Sequence, residues 1–391
     1  MSNKKISHVD LFAGAGGICT GFKAAGIKTV LAVEKVESCA ETYKKNHPKV
    51  NFIHKDIRHV TKKDLQIINN LEIDIITSGM PCETFSTAGS TSRSFYDHRQ
   101  QLYYETIRLS KILKPKIILF ENVPGILSKK VVKGGKRLVI DDIFDDLSQI
   151  GYKHFIQTTL NACDFGTPQN RQRYFIIAAN DMSLELTVPV STHNGVTTVS
   201  KAFKGLPTIK ANESKKNLKY TKSESEYSQL LKDKSFWKTG SGFEQVLTYH
   251  VAPNHRKGTI QRFKLIKQGE NLKDVFTKRS EGEVKRLQEK RILPKKWFIQ
   301  RNMRLFPNLP SKTVTSHCLD ELVHPLLDRA LTVREVARLQ SFPDSYDFKG
   351  GPYICPHIYV TQDKYEQIGD AVPPLLAYHW GITLKKILKR K

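Results

Sequence analysis

Apolar residues in the first 180 positions arrive in two alternating rhythms. Short apolar runs occupy residues 9–12, 30–33, 52–53, 73–77, 117–120 and 173–178, each bounded by polar or turn-forming residues. Runs of that length predict buried strands. Between them, apolar positions recur at helical spacing from a glycine-rich turn at 13–17 to about residue 25, then over 37–46, 103–113 and 141–150. Strands buried on both faces and separated by helices predict an α/β fold whose mostly parallel sheet is covered on both sides.

Beyond about residue 189 the alternation dissolves. Residues 181–324 hold 27 Lys and Arg against 14 Asp and Glu, with few long apolar runs, which predicts a second, basic domain. Helical patterning returns over 332–341, which predicts a packing helix, and in a last helix over 374–388. The whole chain of 391 residues carries 63 Lys and Arg against 38 Asp and Glu, a formal charge of +25. Such an excess favours a polyanionic partner, nucleic acid first, because neutralising phosphates releases condensed counterions. No apolar run approaches the ~20 residues of a membrane span. The first residues lack the apolar stretch of a secretory signal, so a cytoplasmic location is expected. Six cysteines are scattered without a CxxC pair or a His/Cys cluster. That pattern predicts reduced thiols and argues against disulfides and bound metal.

Candidate chemistry falls where the predicted strands end, the ligand side of an open parallel sheet. Cys82 follows Pro81 in the segment Gly79-Met80-Pro81-Cys82-Glu83-Thr84-Phe85-Ser86. Proline fixes its own φ and biases the residue before it to extended geometry, so the thiol is held in a rigid turn and suits a nucleophile. The turn Gly14-Ala15-Gly16-Gly17 lets a ligand approach the backbone. Cys19 stands where a dinucleotide fingerprint would have its third glycine. Glu34 ends the second strand and suits a ribose diol; Asp56 and Ile57, after the third, suit an adenine amino group and ring. The pattern has no phosphate-binding lysine, which disfavours ATP and leaves S-adenosylmethionine. Glu121 ends the apolar fifth strand, where partial desolvation favours a hydrogen-bond-donating acid.

Several separated segments share one resemblance. They are Asp10-Leu11-Phe12-Ala13-Gly14-Ala15-Gly16-Gly17, Pro81-Cys82-Glu83-Thr84-Phe85-Ser86, Glu121-Asn122-Val123, Gln169-Asn170-Arg171-Gln172-Arg173, the stretch from Arg329 to Asp344, and Gln367-Ile368-Gly369-Asp370-Ala371-Val372-Pro373-Pro374. In order and spacing they resemble the motifs of the DNA (cytosine-5) methyltransferases, in particular those of bacterial type II restriction-modification systems. The resemblance implies a Rossmann-like, S-adenosylmethionine-dependent methyltransferase with a mixed sheet and a smaller target-recognition domain. The catalytic domain is expected over 1–187 plus 366–391, and the DNA-binding domain over 188–365. It further implies that Cys82, Glu121, Arg171 and Arg173 act on a flipped-out cytosine. Phe12, Ala13, Gly14, Gly16, Gly17, Glu34, Asp56, Ile57, Pro81 and Asp370 would hold the cofactor. The polar stretch from Ser86 to Arg99 would close over the DNA. The implied partner is double-stranded DNA, bound by a monomer, with a cognate restriction endonuclease as a genetic companion.

One position departs from the family. Its usual Gly-Asn-Ala-Val-Pro appears here with Asp370, and an ionised Asp only accepts hydrogen bonds where Asn also donates. Beside a methionine carboxylate Asp370 would be repulsive. Two other readings stay open from sequence: a tRNA cytosine-5 methyltransferase, and a non-catalytic DNA-binding protein on the same fold. Against the first, Cys82-Glu83-Thr84-Phe85-Ser86 lacks the Cys-Phe-Thr element of that branch. Against the second stand Cys82, Glu121 and Arg173 together.

Overall fold

The computed structural model describes residues 5–80, 102–131, 136–191, 195–215, 217–239, 247–354 and 361–389. The chain divides into two compact units, one of residues 1–165, 172–192 and 372–391, the other of 166–171 and 193–371. The boundaries differ from the expected ones, since 166–171 and 366–371 both fall in the second unit. Among the described residues no helix is long and apolar enough to cross a membrane.

The first unit is built on seven strands: β1 (Ser7–Leu11), β2 (Lys28–Glu34), β3 (Asn51–His54), β4 (Ile75–Ser78), β5 (Ile117–Asn122), β6 (His154–Asn161) and β7 (Gln172–Ala179). Their order is β3-β2-β1-β4-β5-β7-β6. The first five run parallel, and β7 is antiparallel to both of its neighbours. The sequence pattern missed β6. It lies at the sheet edge, none of its residues is fully buried, and Gln157, Thr158 and Thr159 interrupt its apolar run.

Alternation along each strand splits the core in two, as the pleat requires. Ile117, Leu119, Phe175 and Ile177 pack on one face with Phe22 of α1 (Gly17–Ala25) and with Leu376, Trp380 and Leu384 of the C-terminal helix Pro374–Lys389. Ile118, Phe120, Ile176 and Ala178 pack on the other face with Ile107 of α3 (Tyr103–Leu113) and Ile140 and Ile143 of α4 (Val139–Gln149). Helix α2 is Glu37–Asn46. The C-terminal helix belongs to this unit because Gly21 lets it touch α1. A Cβ there would lie 2.3 Å from the Pro374 carbonyl oxygen and 2.5 Å from the Tyr378 nitrogen. Strand order reverses between β1 and β4, and such a reversal opens a crevice at the carboxyl ends of the strands.

The second unit centres on helix Val333–Leu339, every residue of which is buried. Arg329 chelates Glu335 through two 2.8 Å bonds, and Arg338 chelates Asp344 through bonds of 2.9 and 2.6 Å. Burial alone would raise the Glu335 carboxyl, but the Arg329 guanidinium holds it well below the usual carboxylate range. The segment is thus the packing helix that its sequence predicts. Nearby His250 contacts Thr332 and the Pro207 carbonyl, and His255 accepts from the Ala330 N–H. Burial lowers His255 to about 4, so both histidines serve the scaffold as neutral rings.

Candidate active site

The crevice of the first unit is lined from the ends of its strands. After β1 the chain turns back on itself, with left-handed torsions at Phe12 (φ 57°), Gly14 (φ 53°) and Gly16 (φ 88°). A non-glycine residue rarely adopts such a φ, so Phe12 marks backbone strained at a candidate ligand site. The Ala13 N–H donates to Val33 O and the Gly16 N–H to Ala13 O, each at 3.0 Å, which fixes the turn. Gly16 is the N-cap of α1, which starts at Gly17 without an acidic residue in its first turn.

Glu34, the last residue of β2, is almost fully buried. Its Oε2 accepts the Gly14 N–H at 2.9 Å, and its Oε1 accepts those of Lys35 and Val36 at 2.8 and 2.7 Å. A carboxylate offers about four acceptor sites. Three backbone donors therefore lock Glu34 to the glycine turn and leave room for a hydroxyl. Asp56 caps the 3-10 turn Ile57–His59, and Arg58 binds both of its oxygens. Those bonds pull its carboxyl down to about 2, so it is an ionised acceptor of the kind an amino group needs. Ile57 beside it is buried in the apolar cluster with Leu11, Val33 and Leu65.

Asp10, part of a motif but not expected as a site residue, sits nearly sealed at the end of β1. Its Oδ1 accepts from the Thr77 hydroxyl at 2.7 Å, while its Oδ2 has no hydrogen-bond partner among the described residues. Burial, with a smaller push from Glu34, raises its carboxyl to about 7. Thr77 spends its proton on Asp10 and so accepts from His8 Nε2 at 2.7 Å. His8 Nδ1 then accepts from Thr29 at 2.9 Å, and Thr29 accepts from Cys19 at 3.3 Å. The sequence signal for this chain of hydrogen bonds is an acid and a histidine at alternate positions of an otherwise apolar strand. An orphaned carboxylate oxygen, two further acidic acceptors and a glycine turn fit a ligand that carries positive charge, a diol and an amino group. S-adenosylmethionine has all three.

Glu121 stands near the end of β5, paired in register with Phe175 of β7. Its Oε1 lies 2.9 Å from Arg173 Nε, in a pair only 12% and 10% exposed. Its Oε2 faces the end of β4, where a Cβ on Gly79 would be 3.5 Å away and only 4.0 Å from the Phe12 carbonyl oxygen. The ends of β1, β4, β5 and β7 thus meet around one carboxyl group. Arg173 also donates from Nη1 to Gln172 O. Pro81, Cys82, Ser86 and Arg99 lie outside the described residues; the sequence places Cys82 three positions beyond Gly79.

Arg171 corrects the sequence expectation. Expected to join Arg173 at the base, it is instead buried in the second unit, where its guanidinium donates to the carbonyls of Val314 (2.6 Å), Gly369 (2.8 Å) and Ala371 (3.1 Å). It clamps backbone instead of gripping substrate. Asp370 also belongs to the second unit, exposed at the end of helix Lys364–Asp370, and accepts from Gln362 Nε2 at 2.8 Å.

Residues 6–386 match the family model for C-5 cytosine-specific DNA methylases. The type II methyltransferase M.DdeI of Desulfomicrobium norvegicum is 35% identical over 381 residues, covering 95% of this chain and 86% of the relative. M1.HphI of Haemophilus parahaemolyticus is 30% identical over 374 residues, with 95% and 84% covered. Among solved structures, a DNA modification methyltransferase encoded within an E. coli prophage superposes with a TM-score of 0.74 at 25% identity, covering 99% of this chain and all of the other. The chain belongs to the C-5 cytosine-specific DNA methylase family: it is a DNA (cytosine-5)-methyltransferase whose methyl donor is S-adenosylmethionine.

Proposed function

We propose that Cys82 is the nucleophile, Glu121 the group that hydrogen-bonds the cytosine ring, and Arg173 the residue that aims Glu121, with the basic second unit selecting the DNA sequence. The observation that carries this reading is the divided use of one carboxyl group. Arg173 occupies Oε1, and Oε2 faces the strand end from which the chain runs on to Pro81 and Cys82. Cytosine C5 is a poor nucleophile. Addition of the Cys82 thiolate to C6 breaks the C5=C6 π bond and pushes that electron pair onto C5, while donation from Glu121 to N3 offsets the charge spreading into the ring. S-adenosylmethionine, when bound, supplies the methyl group as an electrophile, and Glu34, Asp56 and the glycine turn are the residues that would hold it. Loss of the C5 proton to a base and expulsion of Cys82 from C6 then restore the double bond. Attack on C6 requires the ring's π face, which is covered inside a duplex, so the base must leave the stack.

The finer readings rest on the type II relatives. On this reading the chain works as a monomer in the cytoplasm and protects DNA from a companion endonuclease. Bisulfite sequencing of DNA from cells expressing the chain is expected to show one methylated sequence context. Methylation of tRNA with none on duplex DNA would refute the proposal. Cys82→Ala should bind the duplex and fail to methylate it, and unchanged methylation would remove Cys82 from its role.

A further inference from the structure

Three large apolar residues stand in a row at the surface of the second unit. Trp297, Phe298 and Ile299 are 39%, 60% and 57% exposed, and the positive residues Lys295, Lys296 and Arg301 flank them. The segment is fastened, not loose. Gln288 donates from Nε2 to the carbonyls of Pro294 and Lys295, Lys312 donates to Gln300 O, and the Arg301 N–H closes a turn onto Phe298 O at 3.0 Å. At its start Leu293 is anchored in the unit's apolar core. Lys273 Nζ lies 5.7 Å from the Trp297 ring centre and the Arg301 guanidinium 5.6 Å from that of Phe298. A rigid backbone thus holds aromatic faces in water with cations around them. Contiguous exposed apolar groups of this kind mark a surface that a partner covers.

We propose that this segment is a DNA-distorting wedge. Lys295, Lys296 and Arg301 engage phosphates, and the Trp297 and Phe298 rings enter the base stack of the recognised duplex. The inference rests on the reading of the second unit as the DNA-selecting part. Charge favours DNA over an apolar protein partner, since Lys295, Lys296, Lys273 and Arg301 outnumber the carboxylate beside them, Asp320 at 3.6 Å from Arg301, and the substrate is a polyanion. Flat rings gain from stacking on bases, and apolar side chains inserted between base steps are a known means of unstacking and kinking a duplex. Such a wedge would favour sequences that unstack easily, adding specificity through deformability as well as through hydrogen bonds to base edges.

The chain supplies its own reporter. Trp237 and Trp380 are both fully buried, so Trp297 dominates the red edge of the emission and the part quenched by acrylamide. Titration of the full-length protein with a duplex bearing the site mapped by bisulfite sequencing should quench that red-edge emission, and Trp297→Phe, which removes the reporter indole, should abolish the quenching. Trp297→Ala with Phe298→Ala should keep the wild-type unfolding midpoint and raise KM for the duplex roughly five- to a hundred-fold, as expected when one base no longer stacks on a ring. Wild-type methylation with unaltered emission, or an unaltered KM in the double variant, overturns the wedge and leaves the enzyme assignment standing. Wild-type self-association that the double variant loses would make the patch a protein interface and overturn it as well. A wild-type chain that leaves the duplex unmethylated overturns both readings.

Discussion

Replacing Glu121 by Gln tests the division of labour at the end of β5. The amide matches the carboxyl group in shape, but its two ends differ. Arg173 Nε, 2.9 Å from Oε1, is a donor and demands an acceptor, so the amide oxygen must stay on that side and the NH2 must face the Gly79 side. An ion pair becomes a hydrogen bond from the Arg173 cation to a neutral amide oxygen, a loss of about 1 kcal/mol. That lowers Tm by roughly 2–4 °C in a unit of this size. The substituted side chain can still donate a hydrogen bond toward cytosine N3 but has no proton to give. Removing a positioned acid costs about 10²–10⁴ in rate, and the retained donor puts this case near the lower end, about a hundred-fold. Glu121→Ala loses the donor as well and should fall toward the upper end. Single-turnover transfer of a labelled methyl group to duplex DNA measures the step, with duplex affinity and Tm recorded on the same samples. A Glu121→Gln rate within ten-fold of wild type at unchanged Tm would refute the proposed role, as would equal losses in the Gln and Ala variants.

Glu34→Ala strips three backbone N–H groups of their acceptor. It should raise KM for S-adenosylmethionine about ten-fold or more with little change in duplex affinity, and an unchanged KM in steady-state assays would exclude Glu34 from the cofactor site. Gly21→Ala drives a methyl group into the backbone of the C-terminal helix. It should cost about 1–3 kcal/mol in urea unfolding despite alanine's better helix propensity, and wild-type stability would contradict the close helix packing. Asp344→Asn leaves Arg338 buried without its counter-charge, a loss of about 3–5 kcal/mol. Burial alone would raise the Asp344 carboxyl, but Arg338 depresses it. Its stabilisation is therefore present above the unfolded pKa of about 4 and is lost as pH falls through the folded value. The variant should show a shallower decline of stability in acid than wild type, and parallel acid profiles would refute the pairing.

What could be read from the sequence followed from how each residue is buried. Strands β2, β4 and β5 were legible because both faces are covered, so apolar residues run together along them; β1 was legible through Val9, Leu11 and Phe12 despite His8 and Asp10, and β6, at the edge, offers no such run. Glu34 and Glu121 could be found because a carboxyl group directly after an apolar run stands at a strand end. The torsion at Phe12 could not, because a phenylalanine extends the apolar pattern whether its φ is negative or positive. Arg171 and Arg173 show the limit most clearly. Two residues apart, they would share a face if both were extended, but β7 starts at Gln172. Only Arg173 is carried to the site, and Arg171 turns away to clamp the carbonyls of another segment.

The same lesson alters what the positive charge means. A formal charge of +25 counts every cation alike, yet in the second unit several arginines are sealed from solvent. Arg304 donates to the carbonyls of Phe263, Ile266, His324 and Leu327 and to Asp328. Arg329, Arg334 and Arg338 likewise spend their donors on loop carbonyls, on Thr248 and on buried carboxylates. The planar, five-donor guanidinium can satisfy several irregular carbonyls at once, which a unit of short helices joined by long loops needs and a lysine could not supply. This is why the region lacks a readable hydrophobic period: buried polar clamps hold much of it. The salt dependence of DNA binding therefore reports surface cations such as Lys295 and Lys296. Neutralising those two should lower the slope of log K against log salt by roughly 0.9 for each phosphate no longer engaged. No buried arginine can contribute to that slope, so a chain folded around Arg338 and one refolded around an apolar replacement pair should titrate alike.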